Sequence, residues 1–464
     1  MPNYNRYFQF DLNTDQRAAF DGLVSFFDGP EDVFILTGYA GTGKTTLLKG
    51  MMDYLDEIER PYELWASTGR AAKVLEKITS RPAKTIHSAV YVIDNKTSLV
   101  EDDKKQLVFK LRTNDSDTDT VYFIDEASMI SDRVESNQQL LFDEGRLMEH
   151  VFRYTGGRKV VFIGDTAQLP PVNCDVTAAL DQDYIEKRYN KRCRTALLKQ
   201  VMRQQLSSGI LWNATELRKQ MQTSPPPLGI KSGGFNDIKV EKNTWTAVAD
   251  FVRDLKANGM GNAVFISATN GGVHYLNSQI RNNFYGRPDP PLQKGDLLLV
   301  NQNNFLHDLA NGQSVKLLDF NPTPIRQHNL SFLDALIEIP GTTTKKQLML
   351  LLDVLQRKEP NLTIFEENEL MKNFAIRMRD RGIKSRTDAF FRSFVNDPFI
   401  NSLRVKYSYA ITCHKAQGGE WNRVYVGNEP AMDNFTRDYL YRWHYTAITR
   451  TKNQLILTNS KYVY

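Results

Sequence analysis

Cysteine is scarce in this chain: Cys174, Cys193 and Cys413 are the only three in 464 residues. Their spacing suits neither a disulfide framework nor a zinc site, and unpaired thiols fit a reducing, cytoplasmic setting. Long apolar runs are missing too. The greasiest stretch, Leu348–Leu355, is short and broken by Asp353, so no membrane span is expected. The opening residues, MPNYNRYFQF, lack a signal-peptide pattern. There is no repeat and no low-complexity tract; the SPPPL segment at Ser224–Leu228 reads as a stiff surface loop. Charge is nearly balanced, with 59 basic against 54 acidic residues and a net charge of +5. Mild basicity permits a nucleic-acid partner without requiring one. What remains is a chain with 41% hydrophobic residues, enough for real cores, and room for about three domains.

One segment is unambiguous in its chemistry. Residues 38–45 read GYAGTGKT, with Gly38, Gly43, Lys44 and Thr45 in the fixed positions of a phosphate-binding loop. The apolar run Val33–Leu36 leads in as a buried strand, and Thr46 with Leu47 and Leu48 leads out as the first turn of a helix. Backbone N–H groups around Gly41, Thr42 and Gly43 converge on phosphates at the positive end of that helix. Lys44 is expected at the β/γ-phosphates of ATP and Thr45 on Mg²⁺. Further on, Val121–Ile124 forms a short apolar strand that ends in Asp125 and Glu126. Asp125 would complete the magnesium shell, and Glu126 would orient and deprotonate the attacking water. Taken without the loop, two acids at a strand end would mean little.

Strands with polar tips recur along the chain, at Glu63–Thr68, Val121–Asp125, Lys159–Asp165, Ala263–Asn270, Arg423–Gly427 and Gln454–Thr458. Helical stretches lie between them, the pattern of parallel α/β sheets whose strand ends carry chemistry. The expected fold class is α/β: two RecA-like parallel-sheet domains around one nucleotide, with a β-hairpin insertion and a second insertion containing a small β-barrel. The expected boundaries are 1–88 and 121–203 for the first half, 89–120 for the hairpin, 204–300 and 403–464 for the second half, and 301–402 for the larger insertion.

Several strand tips carry words: ASTGRAAKVL at 66–75, TIHS at 85–88, GDTAQLPPV at 164–172, LLKQVMRQ at 197–204, SATN at 267–270, TCHKAQGGEW at 412–421 and YTAITRT at 445–451. In this order the chain resembles the superfamily-1 helicases of the 5′→3′ branch, nearest the Dda and RecD-like DNA helicases. The resemblance implies that Gln16, in LNTDQRAAF, reads adenine, and that Thr46 and Glu420 join the ATP contacts. It implies that Gln168 senses the γ-phosphate and that Arg203 and Arg450 close over it from the far side of the cleft. Thr68, Thr85, His87, Ser88, Thr269, Asn270, Thr412, His414 and Lys415 then hold single-stranded DNA, mainly through phosphates and without reading sequence. Plainer readings stand beside these: a helix cap for Gln16, surface ion pairs for the arginines, ordinary satisfied rings for His87 and His414. Family members often have Pro where Ser67 stands.

Two insertions give the motor its character. Thr97–Val100 and Gln106–Leu111 are β-prone runs flanking the turn EDDKK, which predicts a hairpin. In the family such a hairpin is the pin that splits the duplex, with Phe109 as the residue to meet a base or else to anchor the hairpin. In the larger insertion Asn311-Gly312 signals a tight turn, Thr342–Lys372 reads helical, and Arg377–Arg386 is a basic run that is either a nucleic-acid contact or a solvated face. The resemblance implies an ATP- and Mg²⁺-dependent helicase, active as a monomer at single strands and duplex junctions in replication, repair or recombination. The alternatives are an RNA helicase of the Upf type and a nucleotide-dependent binding module that never translocates.

Overall fold

A computed structural model describes residues 4–93, 99–100, 105–134, 140–142, 145–200, 208–222, 228–304, 306–340, 342–359 and 361–464. The first sheet has six parallel strands in the order Cys193–Leu198, Val33–Gly38, Val160–Gly164, Val121–Asp125, Tyr62–Ala66 and Ala83–Thr85. Its central strands are apolar on both faces because helices cover both. Alternate residues therefore feed separate cores. Phe34, Leu36, Val121 and Phe123 pack with Phe20, Leu47 and Met51, whereas Val33, Ile35, Tyr122 and Ile124 pack with Met148 and Val151. The sheet order places one strand, Val160–Gly164, between the P-loop strand and the Asp125 strand. Three neighbouring carboxyl ends thus deliver Gly38, Gly164 and Asp125 to one crevice, where ligands of such sheets bind.

The second sheet has five parallel strands in the order Ile238–Glu241, Thr451–Thr458, Trp421–Val426, Ala263–Ser267 and Ala410–Thr412. No P-loop accompanies it. Among the described residues no helix is long and apolar enough to cross a membrane.

A third, antiparallel sheet runs through Leu330–Glu338, Ser314–Phe320, Leu297–Val300 and Val405–Tyr407, with Ile325–Gln327 and Lys345–Leu351 also on Leu330–Glu338. A bridge between Leu350 and Leu403 brings its two ends together, so the sheet curls around Leu298, Val315, Leu317, Ile337, Leu350 and Val405. It draws on strands flanking the 301–402 insertion as well as on the insertion itself. The helical reading of Thr342–Lys372 is corrected here: Lys345–Leu351 is a strand in seven-residue register with Phe332–Glu338, and helix occupies Leu352–Leu355 and Ile364–Asp380. Cross-strand burial of Leu348 and Leu350 outweighs the helix preference of KKQLMLL.

The predicted hairpin is present as Tyr91–Ile93 and Leu99–Val100 against Lys105–Leu111, with Leu140–Phe142 added alongside in parallel; the turn at 101–104 lies outside the described residues. Phe109 is only 3% exposed and packs in the core that holds Ile86, Val90 and Tyr91. Its candidacy for base contact is therefore corrected: the ring anchors the hairpin to the first half. Phe109→Ala is expected to lower unfolding stability by about 3–5 kcal/mol, the cost of emptying a buried phenylalanine site. Urea unfolding checks this, and a loss below about 1 kcal/mol would return Phe109 to the surface.

Candidate nucleotide and nucleic-acid site

The P-loop turns at Gly41 and Gly43, whose φ values of +76° and +82° suit glycine. Gly43 also presses on Gln16, where a Cβ would come within 2.7 Å of the amide nitrogen. That amide donates to Thr42 O at 3.0 Å, and its oxygen accepts from the Asn13 N–H at 3.1 Å. Gln16 is fully buried and braces the loop from beneath. Lys44 Nζ donates to Gly38 O at 2.5 Å and to Tyr39 O at 3.1 Å, folding back over the loop it serves. Thr46 is exposed on the first turn of the helix Lys44–Glu57.

Asp125 accepts from the Glu126 N–H at 2.9 Å, and Glu126 adopts φ +51°, a left-handed conformation costly for a side chain of its size. Burial, and then the neighbouring Glu126 carboxylate, push the Asp125 carboxyl up to about 7, while the Glu126 N–H and Lys44 pull it back. Among the described residues no group of three or more acidic, His or Cys side chains could hold a metal ion. The donor set of one carboxylate and the Thr45 hydroxyl therefore fits Mg²⁺, which keeps waters and shares phosphate oxygens, rather than a metal caged by protein alone.

From across the cleft comes the helix Arg437–Ile448 and the two residues after it. Arg450, buried, holds Thr446 O and Thr449 Oγ1 at 3.2 Å each and reaches Glu126 Oε1 at 3.9 Å. The Tyr445 hydroxyl donates to Asp165 Oδ2 at 2.6 Å and accepts from the Ala40 N–H of the P-loop at 3.0 Å. Burial, and then Asp165, hold this phenol far above its ordinary range. Thr446 accepts from the Leu169 N–H at 2.9 Å, and Arg442 donates to Thr166 O at 2.6 Å. Gln417 donates to Leu169 O at 2.9 Å. The GDTAQLPPV segment is thus clasped by the second half along most of its length. Gln168 sits in it, 4% exposed, with an amide oxygen that has no hydrogen-bond partner among the described residues. Beside the P-loop a cavity of about 780 Å³ is lined by Ala40, Gly41, Asn236, Glu420, Thr449 and Lys452. Glu420 pairs there with Lys452 at 3.2 Å. Arg203 lies outside the described residues.

The expected strand-gripping threonines share one local design. Thr68 and Thr269 follow a parallel strand and Thr85 and Thr412 end one; each caps the next helix, accepting from Ala71, Gly272, Ser88 and Lys415 N–H groups respectively. A cap of this kind fixes the first turn, leaving its remaining N–H groups for an anion. Ser88 Oγ donates back to Thr85 O at 2.9 Å, so it shapes the turn. His87 lies on the helix Ile86–Val90 beside the Tyr91 ring, and Asn270 is exposed. Asn270, Thr412 and Lys415 line one cavity of about 390 Å³. Burial, and then Arg70, lower the Lys415 ammonium to about 8; it donates to Asn301 Oδ1. His414 is lowered by burial and bonds the backbone at Pro170, which ties it to the clasped segment rather than to the strand track.

Sequence reasoning missed Tyr445, Asp165 and Arg442. The first two stand inside words already recognised, and a buried phenol between two loops has no signature shorter than the fold. It missed Arg70 as well, whose guanidinium lies 4.9 Å over the Trp421 ring and donates to Ser314 Oγ, joining both halves to the antiparallel sheet.

The AAA domain family matches residues 11–224, and the UvrD-like helicase C-terminal domain family matches residues 407–458. The ATP-dependent RecD2 DNA helicase of Deinococcus radiodurans is 24% identical over 97% of this chain and 49% of its own length. The ATP-dependent DNA helicase Pif1 of Bdellovibrio bacteriovorus is 32% identical over 35% of this chain and 34% of its own. The chain spans about half the length of the RecD2 relative. Among solved structures, the Pif1 helicase of Candida albicans is 18% identical with a TM-score of 0.49, covering 98% of this chain and 95% of that one. With an AAA domain ahead of a UvrD-like helicase C-terminal domain, and the motif series running through both, the chain carries the domain pair and motif order of superfamily-1 helicases and is similar to those of RecD and Pif1 type.

Proposed function

We propose that this chain is an ATP-driven DNA helicase that travels 5′→3′ on a single strand and opens the duplex ahead. The observation that carries the reading is Arg450, delivered by the second half to within 3.9 Å of Glu126 in the first. A closing arginine beside the water-activating acid answers charge that develops only during phosphoryl transfer. In this reading Lys44 and the loop N–H groups hold the β/γ-phosphates, and Thr45 and Asp125 hold Mg²⁺, which neutralises phosphate charge when bound. Glu126 takes the proton of the attacking water, Gln168 reports the γ-phosphate, and Arg203 is assigned as the second closing arginine. Both closing arginines belong to the same chain, which supports action as a monomer. The threonine caps of both halves then form one phosphate track, and each ATP cycle changes the distance between its two parts.

The polarity rests on GDTAQLPPV, TCHKAQG and the placement of the two insertions, which resemble the 5′→3′ branch; the RecD2 and Pif1 relatives are each named an ATP-dependent DNA helicase. Strand displacement on duplexes bearing only a 5′ tail, only a 3′ tail or none tests it, with an RNA tail as a fourth arm. The 5′-tailed DNA duplex is expected to be unwound, and increasingly poorly as salt rises. Unwinding of the 3′-tailed duplex alone would reverse the polarity, and preference for the RNA tail would replace the substrate.

A further inference from the structure

The four capping threonines differ in what takes the hydroxyl proton: Thr85 Oγ1 donates to the neutral Ser88 hydroxyl at 3.0 Å, and Thr269 alone donates to an acid among the described residues. At the turn Ser267–Asn270, the Glu429 carboxylate is inserted beneath the start of the helix Asn270–Tyr285. Its Oε1 accepts from the Ala268 N–H at 2.8 Å and from the Ser267 hydroxyl, and its Oε2 accepts from the Thr269 hydroxyl at 3.0 Å. The fit is close: a Cβ on Gly272 would meet Glu429 Oε2 at 2.5 Å. No Lys, Arg or His among the described residues pairs with this carboxylate. Thr269 already accepts from the Gly272 N–H at 2.9 Å, so donation to Glu429 uses its single proton. It has none left for a phosphate. Thr68 and Thr412 carry no such acid: each accepts from its helix and donates to no side chain among the described residues.

We infer that Glu429 is a positioning residue that weakens the second half's hold on the nucleic-acid backbone. This rests on the nucleic-acid reading above. A phosphate docked on the N–H groups of Asn270 and Gly271 lies about 6–8 Å from the carboxylate, roughly one turn of helix away. Two like charges at that distance oppose each other, and the Thr269 hydroxyl is turned inward. Against this, the Lys358 side chain comes from the inserted region to the mouth of the same turn; a Cβ on Gly271 would sit 3.5 Å from Lys358 Cε. The hold at this cap is the balance of a fixed acid below and a mobile ammonium above. A motor must let go of each phosphate as readily as it takes it, and the acid keeps the hold shallow.

The test is Glu429→Gln, which keeps the shape and the two acceptor contacts at Oε1 and removes the charge. Its amide nitrogen would face Thr269 and turn that hydroxyl outward. Affinity for a fluorescent oligo(dT) strand, without nucleotide, is measured by anisotropy from low to high salt. E429Q is expected to bind about three- to ten-fold tighter at low ionic strength, with the gap closing as salt screens the charge. Lys358→Gln is expected to bind weaker, and the double variant to return near wild type. Equal or weaker binding by E429Q at every salt concentration, with an unchanged unfolding midpoint, overturns the inference and leaves Glu429 a brace for the turn. Should E429Q fold poorly, K358Q alone decides: binding no weaker than wild type at low salt is also an overturning result. Failure of the wild type to bind the strand would defeat the nucleic-acid reading itself.

Discussion

Lys44→Ala stops ATP turnover while the chain stays folded. The ammonium is the only cation the phosphate loop itself supplies, and in the proposed function its charge lies where negative charge gathers during γ-phosphoryl transfer. One preorganised donor of this kind is worth about 10²–10³ in turnover, and a full charge is worth at least that. Stability should hardly change. Lys44 is half-exposed, and its bonds to Gly38 O and Tyr39 O are made to carbonyls that water can serve instead. Alanine is also favourable in the first turn of a helix. Strand-stimulated ATPase and urea unfolding, measured together, check the prediction. Turnover above about a tenth of wild type would remove Lys44 from the phosphate site, and a collapsed unfolding midpoint would make it a structural residue.

Arg450→Ala is the second large effect, and its signature is where the loss falls. The guanidinium contacts Glu126 from the far half at 3.9 Å, too long for a strong bond at rest. Its value lies in the transition state, so kcat should drop by about 10³–10⁵ while ATP binding changes little. Arg450→Lys should not rescue it. The planar fork here holds Thr446 O and Thr449 Oγ1 while still facing Glu126, and an ammonium cannot present that geometry. Equal losses in nucleotide affinity and turnover would make Arg450 a ground-state clamp.

What the sequence made legible was local. The P-loop, the Asp125 strand and the SATN and TCHKAQG tips each combine an apolar run with a polar end, and each stands where the pattern placed it. Edge strands were not legible. Cys193–Leu198 and Ile238–Glu241 close one side of each parallel sheet with half-exposed residues, so neither shows the unbroken apolar run of a central strand. Lys345–Leu351 misled for a different reason: its residues favour helix, and only pairing with a strand nearby in the chain makes it extended. Phe109 shows the limit for single residues. An aromatic in a hairpin strand can face a base or a core, and alternation along the strand does not say which face is covered until the first half packs against it. The threonines were found as polar tips, but their shared function as helix caps emerged only with the helices that follow them.

Arg442, Tyr445, Thr446 and Thr449 stand at i, i+3, i+4 and i+7, one face of a single helix and its C-cap. That face carries the bonds to Thr166, Asp165, Ala40 and Leu169, with the arginine that reaches Glu126 directly behind. A rigid rod about 18 Å long cannot release one of these and keep its neighbours at bonding distance. The cleft therefore has two settings and no graded series between them: engaged, with the whole face seated, or parted, with all of it lost. In the motor proposed above, progress along the strand is then counted in whole events, one per nucleotide cycle, and a damaged contact anywhere on that face makes the count slower without making the stride shorter.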